Sequence, residues 1–109
     1  MDLSQLIALQ QASLQEIYPQ MEQVVAALTD TTLLAAATAL ILKYPTEATP
    51  AIDEALKGEN SSLQQVLLTD IIPYLPFYSK MVLADAVEAL AEQPSTEQFA
   101  KNALQSFVP

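Results

Sequence analysis

Leu33-Leu34-Ala35-Ala36-Ala37-Thr38-Ala39-Leu40-Ile41-Leu42 is an unbroken run without a charge, a glycine or a proline. Alanine and leucine are the best helix formers, and nothing in the run alternates apolar with polar at the period of a strand. It therefore reads as a helix, from about Thr31 to Tyr44. Lys43 falls in its last turn, where a cation complements the helix dipole, and Pro45 prevents continuation. The run is far short of the roughly 20 apolar residues that span a bilayer. A helix that is apolar nearly all round is expected to be enclosed by others. It is thus the expected centre of an all-α fold: a compact bundle of roughly six to seven short helices.

The flanking sequence supplies the other helices. Asp2 and Gln5 have the form of a capping box, opening a helix that carries Leu3, Ile7, Leu14, Ile17 and Tyr18 towards Pro19. Met21, Val24, Val25 and Leu28 follow at i, i+3, i+4, i+7, the spacing of one buried helical face. After Pro45, Thr49 and Pro50 read as a cap and first residue, with Ile52, Ala55 and Leu56 inward and Gly58 in a left-handed C-terminal position. Asn60, Ser61 and Ser62 offer caps for a helix bearing Leu63, Val66, Leu67 and Ile71, which stops before Pro73. A longer helix runs to about Gln93, with Phe77, Met81, Ala84, Val87 and Ala91 as its stripe and Leu83 and Leu90 beside it. Ser95 and Gln98 form a second capping-box pattern, ahead of Phe99, Ala103, Leu104 and Phe107.

The chain has 109 residues, the usual size of one domain, so residues 1–109 read as a single helical domain. Hydrophobic residues are 51% and charged ones 16%, a balance that favours a packed core over disorder. The formal charge is −9, with 13 acids against four lysines and no arginine. Nucleic-acid binding depends on cations that neutralise phosphates, and anionic membrane surfaces repel an acidic protein. Neither is an expected partner. The acidity itself reads as solubility. Met1-Asp2-Leu3-Ser4-Gln5-Leu6 lacks the positive start of a signal peptide, and cysteine is absent. A cytoplasmic location is the expectation.

Histidine is absent too. Without imidazole or thiolate, nucleophilic triads and zinc, haem or iron–sulfur sites lose their usual ligands. With one glycine, no phosphate-cradling loop can be drawn. Asp85, Glu88 and Glu92 share one helix face and could in principle hold a divalent cation, but that face is opposite the apolar one and reads as solvated. Ser61-Ser62-Leu63-Gln64-Gln65-Val66-Leu67-Leu68 is loosely similar to the segment at which acyl carrier proteins attach phosphopantetheine, which would imply Ser62 as the attachment point. Ser61 stands where that family has aspartate, the likeness extends no further, and helix capping accounts for both serines. No enzyme activity, cofactor or metal is expected.

The remaining feature is Pro73-Tyr74-Leu75-Pro76-Phe77-Tyr78. Its three aromatic residues stand on a turn stiffened by two prolines, and aromatic anchors are enriched in protein interfaces. Tyr74, Phe77 and Tyr78 are therefore the candidate partner-binding residues; the competing reading places Tyr74 and Phe77 in the core as the plug of the bundle end. The function these features favour is a non-catalytic protein–protein interaction module: an adaptor, small subunit or assembly factor, with self-association open to it. Two alternatives come from other classes. One is a bundle that binds a lipid or other apolar small molecule, the other an acidic decoy for a basic protein.

Overall fold

The computed structural model describes residues 1–108. Every regular element among them is helical. The α-helices are α1 (Leu3–Leu9), α2 (Leu14–Ile17), α3 (Met21–Ala26), α4 (Leu34–Lys43), α5 (Pro45–Leu56), α6 (Ser61–Val66), α7 (Phe77–Leu90) and α8 (Glu97–Leu104). Short 3₁₀ turns join α2 to α3 and follow α3 and α8. One cluster of buried apolar side chains reaches from Leu6 in α1 to Ala103 in α8. The all-α bundle read from the sequence is the observed architecture.

Helix α4 is less enclosed than its composition suggests. Ala37, Leu40 and Ile41 are buried, against α1, α3, α5 and the segment after α6. Ala35 and Ala39 are exposed, and Leu34, Thr38 and Leu42 half-buried. A small chain has too little mass to surround one of its own helices completely, so α4 keeps a bare alanine edge.

The amino-terminal capping box forms: the Gln5 N–H donates to Asp2 Oδ1 at 2.9 Å, and the Asp2 N–H to Gln5 Oε1 at 2.7 Å. The helix it opens does not continue to Pro19. It breaks at Gln10–Ser13, where Gln10 Nε2 donates to the Ala36 carbonyl and Lys43 Nζ to the Gln10 carbonyl. These bonds to and from α4 offset the intrahelical ones lost at the break. The inward residues are Leu6, Leu9 and Ile17, whereas Leu3, Ile7, Leu14 and Tyr18 face solvent. Met21, Val24, Val25 and Leu28 are all buried, as their spacing requires. Before α4, Asp30 Oδ1 accepts from the Thr32 hydroxyl and N–H at 2.7 and 2.9 Å, and these bonds, the hydroxyl's first, hold its carboxyl below the usual range.

Helix α5 starts five residues before the expected Thr49–Pro50. Pro45 takes its first position and Pro50 lies inside it. Thr46, whose carbonyl would have bonded the missing Pro50 N–H, is exposed, and water can serve it. Thr49 is no cap: its hydroxyl donates back to the Pro45 carbonyl at 2.7 Å and lies 3.0 Å from Ser79 Oγ, buried between α5 and α7. Gly58 is not left-handed. The end of α5 is closed instead from α6, by the buried Gln64, whose amide donates to the carbonyls of Gly58 at 2.8 Å and Leu56 at 3.2 Å. Asn60 caps α6, its Oδ1 accepting from the Leu63 N–H at 3.1 Å. That places Ser61 and Ser62 inside the helix rather than at its cap.

Nor does the α6 segment stop cleanly before Pro73. It widens into a π turn over Leu67–Ile71 and tightens into a 3₁₀ turn over Ile72–Tyr74. A proline ring clashes with the carbonyl four residues back in a regular helix, and the widened turn lies where that carbonyl, Thr69, would be. The second capping box does not form. Thr96 occupies the cap position of α8 and its hydroxyl donates to the Leu90 carbonyl at 2.8 Å, while Gln98 bonds Asn102.

Candidate protein-interaction surface

The corner between the α6 segment and α7 is built from alternating inward and outward side chains. Ile71, Ile72 and Leu75 turn into the core. The bundle end is therefore plugged by Leu75, not by Tyr74 or Phe77. Pro76 takes the extended cap position of α7, and its fixed φ sets the angle at which α7 leaves the corner.

All three candidate residues are outside: Tyr74 is 70% exposed, Phe77 58% and Tyr78 68%. Of the stripe expected on the inner face of α7, Val87 is buried, with Leu83 and Leu90 beside it, whereas Phe77 and Met81 are not. That face is Ser79, Lys80, Leu83, Ala86, Val87 and Leu90. Met81 at 54% and Val82 at 49% join the aromatic residues outside. Positions 77, 78, 81 and 82 are neighbours on the surface of a helix, one turn above another, and Tyr74 lies in the turn just before them. Sequence reading missed Met81 and Val82 as surface residues. The four-residue spacing from Phe77 to Met81 and from Tyr78 to Val82 is the signal that places them together, but it does not say which side is covered.

Within the corner segment only one side chain is charged, the next being the exposed Asp85 one turn further along α7. Lys80 is the only charged residue between Pro73 and Ala84. It is buried, and its Nζ donates to the Ser106 carbonyl at 3.0 Å, beyond the end of α8. The outward surface from Tyr74 to Val82 consequently carries no formal charge. The centre of a protein interface has this composition: aromatic and methionine side chains, depleted of charge. The hydroxyls of Tyr74 and Tyr78 add hydrogen-bonding tips to otherwise apolar rings.

Other expected features are placed differently. Asp85, Glu88 and Glu92 are all exposed on α7 and its end, and among the described residues no three acidic side chains are gathered so as to hold a metal ion. Ser62 is exposed within α6. Phe99, assigned to the buried face of the last helix, is 39% exposed, and Ala100 and Ala103 take that face instead. No helix among the described residues is long and apolar enough to cross a membrane. In comparisons with family models, curated proteins and solved structures, the chain shows no match, so the corner is read from its own chemistry.

Proposed function

We propose that this chain is a non-catalytic interaction module that engages another protein through the corner formed by Tyr74, Phe77, Tyr78, Met81 and Val82. The observation that supports this reading is their joint exposure in a segment, Tyr74 to Val82, that presents no charged side chain to solvent. Contiguous exposed apolar surface of this kind marks interaction sites in folded proteins. The corner is also stiff. Pro73 and Pro76 limit backbone freedom, and the buried Leu75 anchors the turn, so little order has to be imposed when a partner docks.

The test is affinity capture from the native cell with the wild-type chain and a Tyr74→Ser/Phe77→Ser/Tyr78→Ser variant, read by mass spectrometry. Proteins retained by the wild type and lost by the variant, with unchanged helical circular dichroism in both, support the reading. An identical captured set from both chains removes the corner as the binding surface. Sedimentation of the two purified chains separates a second copy from a different partner: a wild-type dimer that the variant abolishes identifies self-association.

A further inference from the structure

A second surface differs in its chemistry. Between α2–α3 on one side and α5 on the other runs a furrow. Its wider end, about 610 Å³, is lined by Leu14, Tyr18, Pro19, Glu47 and Pro50 among others. Tyr18, Pro19, Glu47 and Pro50 also line the adjoining section of 240 Å³, which extends to Glu22 and Glu54. Glu22 and Glu54 line in turn a third section that ends at Leu63. The three sections thus form one continuous trough. Along α5 it runs from Thr46 to Ala55, about 14 Å at the rise of an α-helix.

Its floor is apolar and its rim is acidic. No lysine lines any of the three sections. Among the described residues, Glu22, Glu47 and Glu54 make no salt bridge and accept no side-chain hydrogen bond. The cations that could have neutralised them are used elsewhere: Lys43 on the Gln10 carbonyl, Lys57 on Asp53, Lys80 on the Ser106 carbonyl and Lys101 on Glu97. A second copy of this chain would therefore bring more carboxylates and few uncommitted cations. An anionic lipid surface would be repelled.

We infer that this furrow docks a cationic amphipathic helix of a partner protein. Glu47 and Glu54 are seven residues apart on α5, about 10 Å along its axis. A facing helix with lysine or arginine at positions i and i+7 can meet both, while apolar side chains at i+3 and i+4 fall between them on Tyr18 and Pro50. Apolar anchors at helical spacing, held in a groove, are an established mode of peptide recognition, and the carboxylate rim sets its sign and speeds the encounter. The furrow is a different surface from the Tyr74–Val82 corner, and each stands or falls alone.

The probe is a blocked 14-residue peptide with leucine at i+3 and i+4 between lysines at i and i+7, added to ¹⁵N-labelled protein. Amide shifts confined to residues 14–26, 46–55 and 63 support the inference. Glu47→Gln/Glu54→Gln, which keeps the shape of both side chains, should then weaken binding about fivefold, and Tyr18→Ser about tenfold. The dispersed amide spectrum of each variant confirms that it is folded. Shifts spread over the whole acidic surface overturn the inference, as do shifts at residues 74–82 alone. So does equal binding by a peptide with serine in place of leucine, equal binding by the Gln variant, or no binding at millimolar peptide.

Discussion

The two faces of α7 are an instructive pair. The outer one carries Phe77, Tyr78, Met81 and Val82; the inner one begins with a serine and a lysine, Ser79 and Lys80, before reaching Leu83, Ala86, Val87 and Leu90. Ranked by apolar bulk over its first two turns, the outer face is the more hydrophobic of the two, and it is the one in water. Position in the bundle decides the matter. Ser79 meets Thr49 of α5, Lys80 reaches Ser106 after α8, and both polar groups are bonded where they are buried. A buried polar group costs little once it is paired. Exposed aromatic surface, by contrast, has no packing partner within the chain. The amino-terminal stripe repeats the pattern: Leu3, Ile7, Leu14 and Tyr18 keep helical spacing and remain outside, while Leu6 and Leu9 go in.

The contrast can be broken most forcefully from the inside. Leu83→Ala empties a fully buried position and should lower unfolding stability by about 2–5 kcal/mol, read from urea titration; a loss below that range would mean the inner face packs loosely. Lys80→Ala removes the tie to Ser106 and leaves its carbonyl without that donor. The expected cost is about 1–3 kcal/mol, with faster hydrogen exchange at residues 105–107. If exchange there is unchanged, Lys80 does not anchor the carboxyl-terminal turn. Thr49→Val and Ser79→Ala, combined in a double-mutant cycle, should show a coupling of about 0.5–1.5 kcal/mol; additive effects would show that the hydroxyl pair does not join α5 to α7. The smallest effect on folding belongs to the outer face. Tyr78→Ser should change stability by less than about 0.5 kcal/mol while weakening capture of the partner tenfold or more. A large thermal destabilisation would move Tyr78 into the core and end its candidacy as an anchor.

Much of the architecture was legible because local chemistry suffices for it. Asp2 and Gln5 lie three residues apart and need no third element to form a cap. Met21, Val24, Val25 and Leu28 form the only stripe of that register in their segment, so burial had no competing choice. Proline was less reliable punctuation. Pro45 begins a helix and Pro50 sits within it, where the residue that loses its donor, Thr46, is exposed to water; Pro73 is accommodated by a widened turn. Gln64 could not be read at all, since a glutamine is polar on any scale. Its burial makes sense only beside the open carbonyls of α5, which lie 6 to 9 residues away in sequence and come within reach when the chain turns at Asn60.

The candidate surface divides along the same line. That Tyr74, Phe77 and Tyr78 cluster on a proline-stiffened turn follows from the order of residues. Their exposure does not. Each of the two faces of α7 satisfies the period of a helix, and a period names a set of neighbours without naming what covers them. Composition determined that the chain is helical, acidic and without histidine or cysteine, because helix propensity and charge are properties of residues taken singly or a few positions apart. Only the tertiary structure decided which stripe turned inward, because burial depends on the partners a face meets, and those partners come from helices distant in the sequence.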